Sequence, residues 1–176
     1  MKPKTYFSIV LFLALFVSCN QNSDFEQKNI DGDFTIELPT YMHELDLGIP
    51  EASLQYGNEL EEHYVTVIRE SPSALTDYGI FNLAGYADMY MAGVEMSIDD
   101  ATLNQISDGV EQHNGMEAIT FDVDGVLPEN GLGIYYSIKF YKSETAYYYV
   151  LDWTLSDYKE QHLSDMKKIT NSIKEL

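Results

Sequence analysis

Residues 134–155, IYYSIKFYKSETAYYYVLDWTL, contain the clearest structural pattern in the chain. Apolar side chains recur at every second position in both halves, which is typical of β-strands, because successive side chains of a strand point to opposite faces. Ser143-Glu144 separates the halves and predicts a tight hairpin turn. Tyr148 and Val150 make the second face partly apolar too, so we expect a sheet that is covered on both sides.

The other predicted elements flank this hairpin. Further strands are predicted at residues 34–38, 54–56, 65–68, 102–112 and 117–123. Ser71-Pro72 is a helix start signal, and near-helical apolar spacing predicts a helix over 72–94. Ser156 or Asp157 is expected to cap a last helix. The apolar stripe of that helix comprises Leu163, Met166, Ile169 and Ile173. The pattern predicts an α+β fold in which an antiparallel sheet packs with two main helices.

The amino terminus has the three zones of an export signal. Lys2 and Lys4 precede a twelve-residue apolar run, and Ser18 stands before Cys19, the single cysteine of the chain. At about 1.5 Å per helical residue the run covers about 18 Å, which is short of a hydrocarbon core of about 30 Å. A permanent transmembrane helix is therefore the weaker interpretation.

The string Phe16-Val17-Ser18-Cys19 resembles the lipobox of bacterial lipoproteins, although Phe16 replaces the usual leucine. The resemblance implies acylation of Cys19, which would attach the protein to a membrane of the cell envelope. We expect the outer membrane, with the protein facing the periplasm or the cell surface. The alternative is an ordinary secretory signal with an incidental cysteine, which would have no disulfide partner in its own chain.

We divide the chain into a signal peptide (1–18), a polar tether (19–30) and one domain (31–176). The domain resembles the PsbP-like fold of PsbP and of bacterial DcrB-type lipoproteins, an α/β/α sandwich. The resemblance rests on residues 34–39, the helix after Ser71-Pro72, residues 115–118, residues 147–154 and residues 169–174. It implies binding and accessory proteins with varied partners, and it implies no active site.

Acidic residues dominate the charge of the chain. There are 29 Asp and Glu against 10 Lys and Arg, and the formal net charge is −19. Between Lys28 and Lys139, Arg69 is the only basic residue and faces 21 acidic ones. Such a surface repels nucleic acids and anionic lipids, so we expect no nucleic-acid partner. A basic envelope protein or peptide is the partner class that fits, and Glu59, Glu61 and Glu62 are its candidate binding residues. The alternative is that the charge serves solubility alone.

The sequence offers one candidate metal site and no cofactor motif. Asp122 and Asp124 are predicted on one face of a strand end, and Glu129 could fold back to complete a Ca²⁺ site. The four histidines lack metal-ligand spacing and are expected to be partly solvated.

We therefore expect no catalytic residues, no enzyme activity and no cofactor. The predicted function is that of a lipid-anchored, non-catalytic binding or accessory module in the cell envelope. The alternatives are an acidic immunity or inhibitor protein against a cationic toxin, and an envelope hydrolase.

Overall fold

The computed structural model describes residues 23–176, which contain eleven strands and three α-helices. The predicted signal peptide and Cys19 lie outside the described residues. The elements are β1 (Phe25–Ile30), β2 (Phe34–Pro39), β3 (His43–Glu44), β4 (Ala52–Asn58), β5 (His63–Glu70), α1 (Pro72–Thr76), α2 (Leu83–Ser97), β6 (Asp99–Gln105), β7 (Glu111–His113), β8 (Met116–Val126), β9 (Gly133–Lys142), β10 (Tyr147–Leu155), α3 (Lys159–Thr170) and β11 (Lys174–Glu175). Among these residues, no helix has the length and apolar character needed to cross a membrane.

Two antiparallel sheets organise the described chain. Eight strands form the central sheet in the order β3-β4-β5-β10-β9-β8-β6, with β7 also pairing with β8. A smaller sheet has the order β1-β2-β11. The hairpin of β9 and β10 is confirmed, with Tyr149 opposite Phe140 and Leu151 opposite Ile138. Because β5 and β8 flank this hairpin, it occupies the middle of the sheet.

The strand period of two gives the central sheet two different faces. Tyr147, Tyr149 and Phe140 belong to the core that α2 covers. Tyr148 and Val150, which alternate with them, belong to the core that contains α3 and the smaller sheet. The predicted α+β class, with a sheet covered on both sides by two main helices, is confirmed. One of the two covering layers also contains the three-stranded sheet.

The predicted tether over residues 19–30 is wrong from Phe25 onward. Residues Phe25–Ile30 form β1, which pairs with β2 from Phe25 opposite Pro39 to Ile30 opposite Phe34. An edge strand needs little apolar alternation, because its backbone hydrogen bonds come from one neighbour and much of its surface stays solvated. The hairpin signal was Asp31-Gly32, a turn dipeptide whose residues both have positive φ. The folded unit therefore begins before residue 31.

Both predicted helices have different limits from those expected. The segment 72–94 is split, because a turn at residues 77–79 with Gly79 at φ +78° ends α1, and Asn82 caps α2. Ser71 does cap α1, accepting a hydrogen bond from the backbone nitrogen of Ala74. In the last helix, Ser156–Tyr158 form a 3-10 turn and provide no side-chain cap for α3.

Two other predicted elements also end differently. Ile173 is buried beyond the end of α3, and the chain then adds β11 to the smaller sheet. The predicted strand over 102–112 is two strands, β6 and β7, separated by bends. The reason in each case is that neighbouring strands offer backbone partners that local periodicity does not reveal.

Candidate functional site

A cluster of titratable side chains is buried between the central sheet and α3. His63 begins β5, and Asp152 lies in the adjacent strand β10; both are 0% exposed. His63 is opposite Thr154 in the register, so Asp152 is its diagonal neighbour on the same face. His162 and Asp165 project from one face of α3 because they are three residues apart. The fold thus brings together residues that are far apart in the chain.

Short contacts connect these side chains into a chain of polar groups. Nε2 of His63 lies 2.7 Å from Oδ1 of Asp152, and Nδ1 of His63 lies 2.8 Å from the hydroxyl of Tyr41. The Tyr41 hydroxyl donates to Oδ2 of Asp165 at 3.1 Å. Ser23 donates to the same oxygen at 2.6 Å. The chain of contacts therefore runs from β10 to the residues just before β1.

The geometry determines how many protons this chain of contacts holds. Three contacts link Asp152, His63, Tyr41 and Asp165, and each is a hydrogen bond only if a proton lies between the two atoms. Two carboxylates, a neutral imidazole and a phenol supply two protons. Three hydrogen bonds therefore require one additional proton, shared between Asp152 and His63. The group then carries a net charge of −1 rather than −2, which lowers the cost of its burial.

Burial is the main cause of the pKa shifts in the cluster. Desolvation raises the pKa of Asp152, and the nearby His63 opposes this shift. Oδ2 of Asp152 is buried and has no hydrogen-bond partner in residues 23–176, so a charge on this carboxylate would be poorly compensated. Desolvation also raises the pKa of Tyr41, and Asp165 raises it further. These directions favour retention of the additional proton.

His162 connects the cluster to the acidic turn between β4 and β5. Its ring centroid is 4.4 Å from that of His63, and its Nε2 donates to the backbone carbonyl of Glu61 at 2.9 Å. Desolvation lowers the pKa of His162, and the neighbouring His63 lowers it further. His162 is therefore held in the neutral form with the proton on Nε2, since that nitrogen must donate to Glu61.

The three candidate partner-binding residues occupy different environments. Glu59 is exposed at the turn, next to Leu60, which is 92% exposed. Glu61 is partly buried and accepts a hydrogen bond from Gln161 at 2.7 Å. Glu62 accepts a hydrogen bond from Tyr64 at 3.2 Å. Of the three, Glu59 alone is exposed, while Glu61 and Glu62 are partly buried and accept side-chain hydrogen bonds.

The structure does not assemble the predicted metal site. Within residues 23–176, no group of three or more His, Cys, Asp or Glu side chains is placed to hold a metal ion. Asp124 instead pairs with Lys159, whose ammonium group lies 2.8 and 3.1 Å from the two carboxylate oxygens. Asp122 and Asp124 share the α3 side of the sheet, whereas Glu129 acts on the pKa of Tyr136, on the α2 side. Asp124 is therefore paired with a lysine and is not part of a carboxylate group in the described chain that could hold a metal ion.

The expectation that the histidines are partly solvated is wrong for His63 and His162, which are 0% and 2% exposed. A signal for this burial was present in the sequence. His63 is in phase with the inward residues Val65 and Val67, and His162 precedes Met166 by four residues on the apolar face of α3. Those positions predict burial for any residue type, but they do not reveal which polar partner each histidine meets.

Comparisons with known proteins identify the fold. No protein-family model matches the sequence, and no curated protein matches it. The solution structure of cyanobacterial PsbP (CyanoP) from Synechocystis sp. PCC 6803 superposes with a TM-score of 0.60 at 14% identity, over 92% of this chain and 99% of that chain. LpqN of Mycobacterium tuberculosis, which is involved in cell envelope biogenesis, superposes with a TM-score of 0.51 at 12% identity, over 88% of this chain and 91% of that one. The chain therefore has the PsbP-like fold.

Proposed function

We propose that this protein is a lipid-anchored lipoprotein of the cell envelope that acts as a non-catalytic binding or accessory module. Three features support the proposal: the predicted export signal that precedes Cys19, the PsbP-like fold, and the fold's occurrence in a protein involved in cell envelope biogenesis. A shared fold does not by itself define a function. The buried cluster of His63 and Asp152 supplies further support.

The enclosure of that cluster is the observation that carries the non-catalytic assignment. A general base must come within hydrogen-bond distance of the proton that it removes from a substrate. Both ring nitrogens of His63 are already in contact with Tyr41 and Asp152, and the side chain is 0% exposed. A substrate would have to displace these partners and open the sheet–helix interface. The envelope hydrolase is therefore the weakest of the three functions.

The acidic surface supports a positively charged partner. Residues 70–138 contain no Lys or Arg, so a basic partner would meet little repulsion there and would associate faster at low salt. An immunity or inhibitor protein against a cationic toxin would use the same surface. The two functions differ in outcome, because an inhibitor abolishes the activity of the protein that it binds.

The anchor is tested by cell fractionation and by mass spectrometry of the amino-terminal peptide. The wild-type protein should fractionate with membranes and carry the mass of acyl chains on Cys19. Cys19→Ser is the matched control, which should remain unacylated and leave the membrane fraction. An unmodified cysteine in a soluble wild-type protein would refute the anchor.

Binding is tested by isolating partners from an envelope extract and measuring association rates from low to high salt. A basic partner whose association slows as salt increases would support the proposal, since salt screens charges beyond about 10 Å at 0.1 M. Glu59→Lys is the matched variant, because this exposed side chain can be reversed without disturbing the hydrogen bonds of Glu61. A partner that is not basic, or a rate that does not change with salt, would contradict electrostatic recognition.

A further inference from the structure

The helix α2 presents an apolar face that the rest of the described chain does not cover. Its inner face is buried in the core through Leu83, Tyr86, Ala87, Met91 and Val94. Gly85, Met89, Ala92 and Met96 recur at spacings of four, three and four residues, so they form a stripe along the opposite side. Met96 is 89% exposed, and Met89 is also exposed. A helix that served only to cover the sheet would be expected to carry polar residues there.

Aromatic side chains are also exposed in the loop that precedes the helix. In the loop between α1 and α2, Tyr78 is 80% exposed and Phe81 is 69% exposed. Four of the ten large hydrophobic residues that are exposed in residues 23–176 thus lie within the single segment 78–96. Apolar exposure concentrated in one segment marks interaction surfaces more often than exposed residues scattered singly do. Methionine side chains also adapt readily to the shape of a partner.

Carboxylates line one side of the stripe. Asp88 and Glu95 are seven residues apart, so they lie along one edge of α2, about 10 Å from each other. Asp77, Asp99 and Asp100 are exposed at the two ends of the same segment. None of these five carboxylates forms a salt bridge with another residue of the described chain, because every salt bridge there involves a different acidic residue. The apolar stripe is therefore flanked by carboxylates whose negative charge is not balanced by a salt bridge.

We propose that this outer face of α2 docks an amphipathic, positively charged helical segment of another protein. The apolar side of that segment packs on Phe81, Met89 and Met96, and its cationic side chains meet Asp88 and Glu95. A second copy of this chain does not fit, because symmetric packing of α2 on α2 would bring like charges together. An anionic membrane is excluded by the same repulsion. This inference rests on the proposed function and specifies its partner surface.

The test uses an 18-residue Leu/Lys amphipathic peptide and protein carrying Cys19→Ser, which cannot be acylated. A Leu/Glu peptide with the same apolar pattern and a Lys/Ser peptide without an apolar face are the peptide controls. Fluorescence anisotropy gives the Kd at two salt concentrations. We expect the Leu/Lys peptide to bind at least tenfold more tightly than either control peptide. Equal binding of either control would overturn the proposal.

Paired variants locate the binding surface. Met89→Ser with Met96→Ser removes the apolar stripe, and Asp88→Asn with Glu95→Gln removes the charged edge; each pair should weaken binding at least tenfold. Leu132→Ser with Glu144→Gln is the matched control at exposed positions elsewhere and should leave the Kd unchanged.

If only the acidic pair matters, attraction is nonspecific and the docking face is wrong. If only the methionine pair weakens binding, the proposed positive charge of the partner is wrong. If the control pair weakens binding as much as the α2 pairs do, the assignment of the surface to α2 is wrong. If a basic envelope partner is recovered and its affinity is the same for the wild-type protein and for all α2 variants, this surface is refuted while the proposed function stands.

Discussion

Where the central sheet meets α2, aromatic rings fill the interface, whereas part of the interface with α3 is filled by titratable groups. On the α2 side, Phe140 stacks on Tyr149 with ring centroids 5.1 Å apart and meets the edge of Tyr86 at 5.9 Å. On the α3 side, His63 and Asp152 occupy the corresponding inward positions. Apolar packing depends on buried area and is indifferent to pH, whereas the polar cluster depends on geometry and on its proton count. One sheet thus combines a pH-independent core with a proton-dependent one.

The largest effect should come from the α2 side. Phe140→Ala should lower the free energy of unfolding by about 3–5 kcal/mol, because it removes a buried aromatic side chain and leaves a cavity. Urea denaturation at pH 6 and pH 8 should give the same loss at both values. A loss that varies strongly with pH would show that the two faces are not independent.

A smaller loss is expected on the α3 side. Asp152→Leu should cost about 3 kcal/mol, because it leaves His63 buried without its partner. Asp152→Asn is the matched control and should cost clearly less, since a neutral carboxamide can donate to Nε2 of His63 as a protonated carboxyl does. The same urea titrations measure both variants. Equal losses for the two variants would contradict the additional proton in the cluster.

The next prediction concerns the pH dependence of stability. Since the pKa of His162 is lowered below its usual 6.5 in the folded state, its contribution is present above pH 6.5 and is lost as pH falls through the folded pKa. One such proton changes stability by at most about 1.4 kcal/mol per pH unit. His162→Gln cannot ionise and should flatten the decline measured between pH 7 and pH 5.5. An unchanged slope would assign that decline to other groups.

Asp152 should act in the opposite direction. Its pKa is raised above the usual 3.8 on folding, so its contribution is present below pH 3.8 and is lost as pH rises through the folded pKa. In the wild-type protein, the Asp152 contribution should make the free energy of unfolding fall as pH rises, whereas the His162 contribution should make it fall as pH decreases. Asp152→Asn should remove the first dependence and His162→Gln the second, as measured by urea denaturation across pH.

The smallest expected effect concerns the segment before β1. Ser23→Ala removes the hydrogen bond to Asp165 and should cost about 1 kcal/mol. Hydrogen exchange of the β1 amides should accelerate accordingly, because this contact joins the beginning of the folded unit to α3. Gln27→Ala is a control in the same strand, as it removes only a long contact of 3.3 Å with Thr35. If β1 exchange responds equally to both variants, the Ser23 contact does not tie the segment to α3.

The predictions from sequence were accurate for features that depend on neighbouring residues and inaccurate for most features that depend on residues elsewhere in the chain. The hairpin of β9 and β10 was predicted with its turn, since the alternation of residues 134–155 lies within one continuous stretch. The cap at Ser71 was equally local. The predicted tether was wrong because β1 acquires its structure by pairing with β2. The helix over 72–94 was wrong because Gly79 adopts positive φ in a turn and Asn82 caps a separate helix, and apolar spacing alone does not reveal either feature.

Local pattern and composition were enough to predict the two-faced hairpin and to establish the acidic balance, because both depend on neighbouring residues or on residue counts. The export signal before Cys19 stays a prediction made on the same local grounds. The contact of His63 with Asp152, 89 residues away, and that of Ser23 with Asp165, 142 residues away, could be found only in the folded chain. Local periodicity can predict that a position is buried, but the partner found there depends on strand order and on where α3 packs. The structure likewise shows Asp124 paired with Lys159, and within residues 23–176 it groups no carboxylates of Asp122, Asp124 and Glu129 around a metal position.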